Sequence, residues 1–393
     1  MAAGPFVGRL LADFGAEVIK VEQAEGDPIR DYGKRFEGKS LYSASIMRNK
    51  RNISLNLREQ EGQDLVRRMI QKCDFVIENF RPGTLERWGL GYDDMQAINR
   101  GIIMIRVSGF GQTGPYSNRA GYGIVAEAVS GLRHITGEPD RPPSRVAVPL
   151  TDYIGGLFAA YGALAALTHR EKTGEGQCVD TALYESAFSV TEPFVPEYHK
   201  LRESGMRAGA RLPGAAPNSL YRAKDGLYVQ VTAGNDRIFE RLADVMGQPE
   251  FAQDERFATP AARWQNVDAL EEIINAWAGG IDSKNLEHSL NEAGVPSARI
   301  YTMAEVFEDP HFAARDMLLN VPSTELGDVT LAGVVPKLSE TPGQVRWAGR
   351  KPGQDTRVVL AEICDLDDAE LSRLESEGII FCDEETRTAS AAE

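Results

Sequence analysis

Residues 149–183 read PLTDYIGGLFAAYGALAALTHREKTGEGQCVDTAL, and the rest of the chain is organised around them. Asp152 stands just ahead of a long run of small and apolar residues that carries almost no charge until His169-Arg170-Glu171-Lys172. The run breaks at Thr173-Gly174-Glu175-Gly176 and re-enters an apolar stretch. Residues 154–167 read as a buried helix, shorter than the roughly 20 residues that span a bilayer. Asp152 at its mouth has two readings. As a helix cap it accepts bonds from the first free N–H groups, the ordinary role of Asp ahead of an apolar helix. As a nucleophile it uses the same geometry: a helix N-terminus keeps a carboxylate ionised, and carboxylates form covalent intermediates. Gly155 and Gly156 would let a ligand or a neighbouring backbone come close. Spacing alone leaves both readings open.

Upstream, residues 5–14 read as a helix, with Phe6, Leu10, Leu11 and Phe14 on one face, ended by Gly15. Strands follow at 17–22, 52–57, 74–78 and 102–107, with helices at 60–71 and around 93–98. This alternation predicts a parallel sheet with right-handed crossovers, an α/β domain over residues 1–190. It opens on a helix where a wound sheet usually opens on a strand. Downstream, 191–216 reads as a linker rich in Pro and Gly. Strands at 219–223 and 227–232, joined at Lys224-Asp225-Gly226, suit a tight hairpin. Helices at 237–246, 267–277 and 284–293 complete a smaller α+β domain over 217–315. The last helix is read with Ser283 as N-cap and Gly294 as its stop. Residues 316–347 read as an extended linker. Residues 348–393 form a C-terminal segment with a helix at 367–377 after the cap-like Asp365 and a polar tail from 383.

At 393 residues the chain is long enough for two domains, and its 42% hydrophobic and 26% charged content is that of a globular protein. A net charge of −15 argues against nucleic acid as partner, and no membrane segment is expected. The cysteines Cys73, Cys178, Cys364 and Cys382 form no CxxC pair, and the five histidines are scattered. No metal site or disulfide framework is expected, and the start of the chain does not read as a signal peptide, so a cytoplasmic location follows. His169 reads as structural and Cys178 as a buried small hydrophobe. Ser108-Gly109-Phe110-Gly111-Gln112-Thr113-Gly114 lacks the GxGxxG and Walker patterns and reads as a flexible turn. Asn79-Phe80-Arg81-Pro82-Gly83 falls at a strand's carboxyl end, where such sheets bind ligands. Lys50, Arg51, Arg58, Arg81, Arg87 and Arg119 lie in or beside predicted loops. Clustered on one edge they would suit a nucleotide diphosphate, and singly they are ordinary surface charge.

Taken together, AGPFVGRLLADFGAEVIKVE (3–22), GDPIR (26–30), NKRNISLNL (49–57), ENFRPGTLERWGL (78–90), the Asp152 segment, LTHREKTGEGQCVD (167–180), YRAKDGLYVQV (221–231) and GVPSARIYTMAEVFEDPHF (294–312) resemble the class III CoA-transferases. That group holds formyl-CoA:oxalate CoA-transferase, carnitine CoA-transferase and α-methylacyl-CoA racemase. The resemblance covers nearly the whole chain. It implies a Rossmann-like large domain, a smaller α+β domain, a C-terminal segment returning to the large one, and two chains interlocked as a homodimer. It puts the catalytic aspartate on Asp152. It puts the CoA contacts on Ala3 and the residue before it, on Leu55, Asn56, Leu57 and Arg58, on Asn79, Phe80 and Arg81, on Arg87, and on Arg119, Ala120, Gly121 and Tyr122. The implied reaction passes CoA from an acyl-CoA donor to a carboxylic acid acceptor through an aspartyl anhydride and an aspartyl-CoA thioester. The CoA thioester is a substrate, and no permanently bound cofactor or metal is implied.

The chain also departs from the family pattern. The family's first strand precedes the AGP motif. Ala2 replaces a glutamine of formyl-CoA transferase and Gln23 an arginine, and GARLPGAA (209–216) replaces its glycine lid, so formyl/oxalate specificity is not implied. Racemases of the superfamily carry Gly-His-Asp where this chain has Gly121-Tyr122-Gly123. A tyrosine, with an ordinary pKa of about 10, is a poor proton-exchange partner at neutral pH. An acyl-CoA racemase therefore ranks behind the transferase, and a non-catalytic CoA-binding subunit stays open as a second rival reading.

Overall fold

The computed structural model describes residues 2–383, so the polar tail expected beyond Asp383 lies outside the described residues. Residues up to 132, 146–195 and from 310 onward make one compact unit, and residues 133–145 with 196–309 make a second. The sequence reading places 133–145 in the first domain, whereas these residues pack with the second unit.

In the first unit, strand β1 (Val18–Glu22) pairs in parallel with β2 (Lys50–Leu55), while β3 (Phe75–Glu78), β4 (Ile103–Ser108) and β5 (Cys178–Ala182) form a second parallel set. The expected single sheet is thus two three-stranded sheets. The first is completed by Ile380–Phe381, which runs antiparallel to β2 and was not foreseen from the sequence. Every residue of β4 is buried, as befits a parallel strand covered on both faces. Helix α1 (Ala3–Asp13) lies against strands of both sheets. A Cβ at Gly8 would sit 3.3 Å from Val18 of one and 3.9 Å from Ile77 of the other.

Two further helices frame the site, α2 (Gly123–Val129) and α3 (Leu150–Thr173). At 24 residues α3 is longer than its sequence reading and, by length and composition alone, long enough to cross a membrane. One face packs inside the unit through Ala159, Ala160, Ala163 and Ala166, in one core with Val7, Ile103, Ile105 and Leu183. Gly155 and Gly156 serve this packing, not ligand approach. A Cβ at Gly155 would stand 2.7 Å from Leu183, and one at Gly156 2.6 Å from Phe6. Cys178, expected to be buried, is exposed at the start of β5. The stretch read as an extended linker forms an antiparallel hairpin, Leu318–Ser323 with Gly327–Ala332, which buries Val321 and Leu331 against Ala44 and Ala348. Helix Asp368–Ser376 is capped by Asp367. Asp365 instead ends the preceding helix in the left-handed region, at φ 55°.

In the second unit, Asn218–Arg222, Tyr228–Thr232 and Ser297–Arg299 form an antiparallel sheet, with the hairpin turn at the Asp-Gly pair as its chemistry requires. Helices Asp236–Val245, Val267–Ala278 and Ser283–Glu292 enclose a core of Tyr221, Val229, Phe239, Phe257, Ile274 and Leu286. Ser283 is the first helical residue rather than the cap, because its N–H and hydroxyl both donate to Asp225, at 3.0 and 2.7 Å. A helix, Phe194–Leu201, occupies part of the stretch read as the 191–216 linker.

Candidate active site

Three helix starts meet at Asp152: its own, that of α1 and that of α2. Asp152 is not the cap of its helix. The N-cap is Pro149, without a side-chain bond, and Asp152 is the third helical residue. The backbone amides of Ala3 and of Asp152 itself act on its carboxylate and favour the charged form. Against it lies Gly123, where a Cβ would stand 2.3 Å from Oδ2. The carboxylate therefore occupies the space of a missing side chain. Glu127, one turn further along α2, is buried, and its Oε1 accepts from the Thr151 hydroxyl at 3.4 Å. Burial pushes the Asp152 carboxyl above the ordinary 3.8, and the like charge of Glu127 adds to it, outweighing the two amides. Burial thus opposes the ionisation that the sequence reading assigned to the helix end.

Beside Asp152 stands an aromatic group. The Tyr153 hydroxyl donates to that of Tyr42 at 3.0 Å, and the Tyr153 ring lies 4.7 Å from Phe6. Burial, then the bond to Tyr153, pushes the Tyr42 phenol up, and the Asp152 charge acts in the same direction.

A cleft of about 770 Å³ opens in the same unit at the carboxyl ends of β1 and β2. It gathers Leu55, Asn56, Leu57, Arg58 and Phe80 from the sequence-derived set. It adds Lys20, the loop 22–28, Trp88 and Phe381, which the sequence reading did not single out. GDPIR was visible as a motif, but nothing local marked Phe381, which reaches the cleft only through its pairing with β2. Phe80 is half exposed and meets Trp88 edge to face at 5.7 Å. Lys20 pairs with Asp27 at 2.8 Å; burial opposes the Asp27 charge, but this pairing and the Ile29 amide hold its carboxyl below the usual range.

Asn79 lies on the first turn of α1, its side chain 3.1 Å from where a Gly4 Cβ would be. Asn79 therefore links the loop after β3 to the Ala3 end. Beneath that loop Arg106 is buried, donating from Nε to Glu78 at 2.8 Å and from Nη1 to Glu86 at 2.6 Å, and Glu78 in turn accepts the Phe80 amide at 2.7 Å. Arg81 and Arg87 are exposed outside the cleft lining, and Arg87 donates to Thr84 at 3.2 Å. Arg119 stacks on Tyr116 at 4.4 Å, and Tyr122 is exposed.

The segment 119–122 is pinned by two glycines, since a Cβ on Gly109 or Gly121 would stand 2.7 Å from the other's Cα. The glycine-rich turn after β4 is likewise held, by Ser108 Oγ to the Gly111 amide at 2.9 Å and Asp180 to the Gln112 amide at 2.9 Å. It is not the loose turn the sequence suggested.

The family model for CoA-transferase family III matches residues 1–356. A succinyl-CoA:D-citramalate CoA-transferase of Chloroflexus aurantiacus is 47% identical over 380 residues, covering 96% of this chain and 94% of the relative. The alpha subunit of a succinyl-CoA:L-malate CoA-transferase from Chloroflexus aurantiacus is 39% identical, covering 96% of this chain and 89% of that subunit. The crystal structure of a CAIB/BAIF family protein from Brucella suis matches with a TM-score of 0.82 at 36% identity, over 92% of this chain and 96% of that one.

Proposed function

The chain belongs to CoA-transferase family III and is a CoA-transferase that passes CoA from an acyl-CoA to a carboxylic acid; on that premise we propose that Asp152 is its nucleophile and that its substrates are dicarboxylic. The observation that carries the first part is the fit of the Asp152 carboxylate into the space beside Gly123, with the Ala3 amide on it. A carboxylate destabilised by burial is a better nucleophile than a solvated one. Its oxygen attacks the thioester carbonyl of the donor. A mixed anhydride forms, the C–S bond breaks, and CoA leaves as the thiolate. The thiolate attacks the Asp152 carbonyl carbon, giving an aspartyl-CoA thioester and releasing the donor acid. The acceptor carboxylate attacks that thioester and expels the thiolate again. The thiolate then takes the acceptor's acyl carbon and restores the Asp152 carboxylate. No proton is gained or lost over the cycle. The Ala3 amide is a donor for the developing oxyanion.

The cleft between β1, β2 and Phe80 suits the nucleotide end of CoA, with Arg58 at its rim and the rings of Phe80 and Trp88 for the base or pantetheine arm. CoA enters and leaves as a substrate, with no resident cofactor. The dicarboxylic class rests on the substrates named for the citramalate and malate relatives.

The same proposal includes a Rossmann-like arrangement of the large unit, a cytoplasmic location and a homodimer. The dimer is supported by an exposed apolar face on α3, Leu157, Phe158, Tyr161 and Leu164, with Tyr161 74% exposed. A second copy is its proposed occupant, and Leu164→Asp should shift the mass in light scattering to that of the monomer. The mechanism is tested by incubating the protein with succinyl-CoA and searching tryptic peptides for CoA on Asp152. The adduct is expected in the native chain and absent from Asp152→Asn. CoA exchange that survives in Asp152→Asn would refute the mechanism.

A further inference from the structure

We infer that Arg9 receives the remote carboxylate of a dicarboxylic acyl group whose reacting carbonyl lies at Asp152, so that Arg9 sets the preference for dicarboxylic over monocarboxylic substrates. The inference rests on the function proposed above and assigns it a residue.

The first support is a charge imbalance. Asp13 stands beside two guanidinium groups, those of Arg9 and Arg48. Arg48, wholly buried, holds it through Nε at 3.0 Å and Nη2 at 2.5 Å, and Asn49 adds a bond at 2.9 Å. Arg9 approaches the same carboxylate only to 3.6 Å from its Nε. That Nε is buried and has no hydrogen-bond partner. Lys50, also buried, turns its amine to the carbonyls of Pro5 and Ile46, at 2.6 and 2.7 Å, and adds no anion. Burial, then the neighbouring Arg48, pushes the Arg9 guanidinium below its ordinary pKa, so the cation is held at a cost that an anionic ligand would relieve.

The second support is position. The Arg9 guanidinium lies over the Phe6 ring, 5.0 Å from its centre. Phe6 meets Tyr153, the residue after Asp152, and Tyr153 is bonded to Tyr42. Asp152 and Arg9 both act on the Tyr42 phenol, from opposite signs of charge. Phe6, Tyr42 and Tyr153 thus link the nucleophile to the cation. The spacing also fits. Phe6 follows Ala3 by three residues, about 4.5 Å along the helix axis. A long helical side chain leans back over the preceding turn, so the head of Arg9 comes level with Phe6. The carboxyl carbons of a four-carbon diacid are separated by three bonds of about 1.5 Å each, roughly 4 Å end to end.

The test compares kcat/KM for succinyl-CoA and butyryl-CoA, which differ by the remote carboxylate, with one acceptor, in the native chain, Arg9→Gln and Arg9→Lys. Losing a charge-assisted bond to a carboxylate should lower the succinyl-to-butyryl ratio roughly 10- to 100-fold in Arg9→Gln. Arg9→Lys should recover part of it. A ratio unchanged in Arg9→Gln, whether both rates hold or both fall together, overturns the inference. Should Arg9→Gln not fold, Arg9→Lys and inhibition by free succinate against butyrate carry the same comparison, and equal inhibition by the two acids in the native chain overturns it as well. The aspartyl adduct, read by mass spectrometry with either donor, reports separately on Asp152. Absence of the adduct with an intact effect of Arg9→Gln sinks the covalent mechanism and leaves the specificity role standing.

Discussion

Gly123→Ala separates the needs of the fold from those of the reaction. Gly123 is the first residue of α2, and its φ lies outside the left-handed region, so the backbone accepts a side chain. Alanine is a better helix former than glycine by up to about 1 kcal/mol, so the helix itself should not suffer. The added Cβ would stand 2.3 Å from Asp152 Oδ2, 3.4 Å from Cγ and 3.7 Å from the amide nitrogen. Only the oxygen is far inside contact. An ordinary carbon–oxygen contact is about 3.3 Å, so the carboxylate must move by about 1 Å or turn about its last bond. A displacement of that size at a reacting atom costs about 100-fold in rate. Gly123→Ala should therefore keep or slightly raise the melting temperature while kcat/KM for CoA transfer falls by about two orders of magnitude. The assay is steady-state transfer beside a thermal melt, with formation of the Asp152 adduct timed by quenched mass spectrometry. Native rates of transfer and adduct formation in Gly123→Ala would refute the claim that this carboxylate, in this position, is the nucleophile.

Asp152 is held above its ordinary pKa of 3.8, so between that value and its folded value the native state binds more protons than the unfolded chain. Stability therefore falls as pH rises through that window, and Asp152→Asn should melt higher than the native chain at pH 7 with the difference vanishing below pH 3.8, as calorimetry across pH would show. Glu127→Gln removes a like charge and should move the acidic limb of the kcat/KM profile to lower pH; an unmoved limb would exclude the electrostatic coupling. Arg58→Ala should raise KM for acyl-CoA roughly 10-fold with kcat little changed, and the effect should shrink at high ionic strength. Arg106→Met leaves Glu78 buried without its cation and should cost about 3–5 kcal/mol in urea unfolding at neutral pH. The loss should be smaller in acid, because Glu78, already pushed up by burial, then takes a proton.

The alternation of strands and helices in the first 190 residues was legible because each strand is a short apolar run and each helix carries its own periodicity. Asp152 was legible as a position but not as an environment. Its neighbours Ala3, Gly123 and Glu127 come from other helices, and no local pattern reports a missing Cβ 2.3 Å from an oxygen. The glycine pair at 155–156 misled because a glycine that admits a ligand and one that admits a helix look alike in sequence. Hairpin Leu318–Ser323 with Gly327–Ala332 was missed because Pro322 and Gly327 read as linker chemistry, although Pro322 sits in a two-stranded ribbon where an unpaired edge tolerates it. Asp365 and Asp367 were confused for a related reason: Asp both caps helix starts and tolerates the left-handed region that ends them.

The strand Ile380–Phe381 has a consequence in the order of biosynthesis. It pairs with Ser54 and Leu55, and Thr356 joins the two by accepting from the Ser54 amide at 3.0 Å and donating to the Phe381 carbonyl at 2.8 Å. One wall of the cleft proposed for CoA therefore comes from early in the chain and another from near its end. A nascent chain that has emerged only through its catalytic helix carries Asp152 but not the finished cleft. On the function proposed above, a cleft fit to hold CoA is complete only once the second unit and the returning segment have been made.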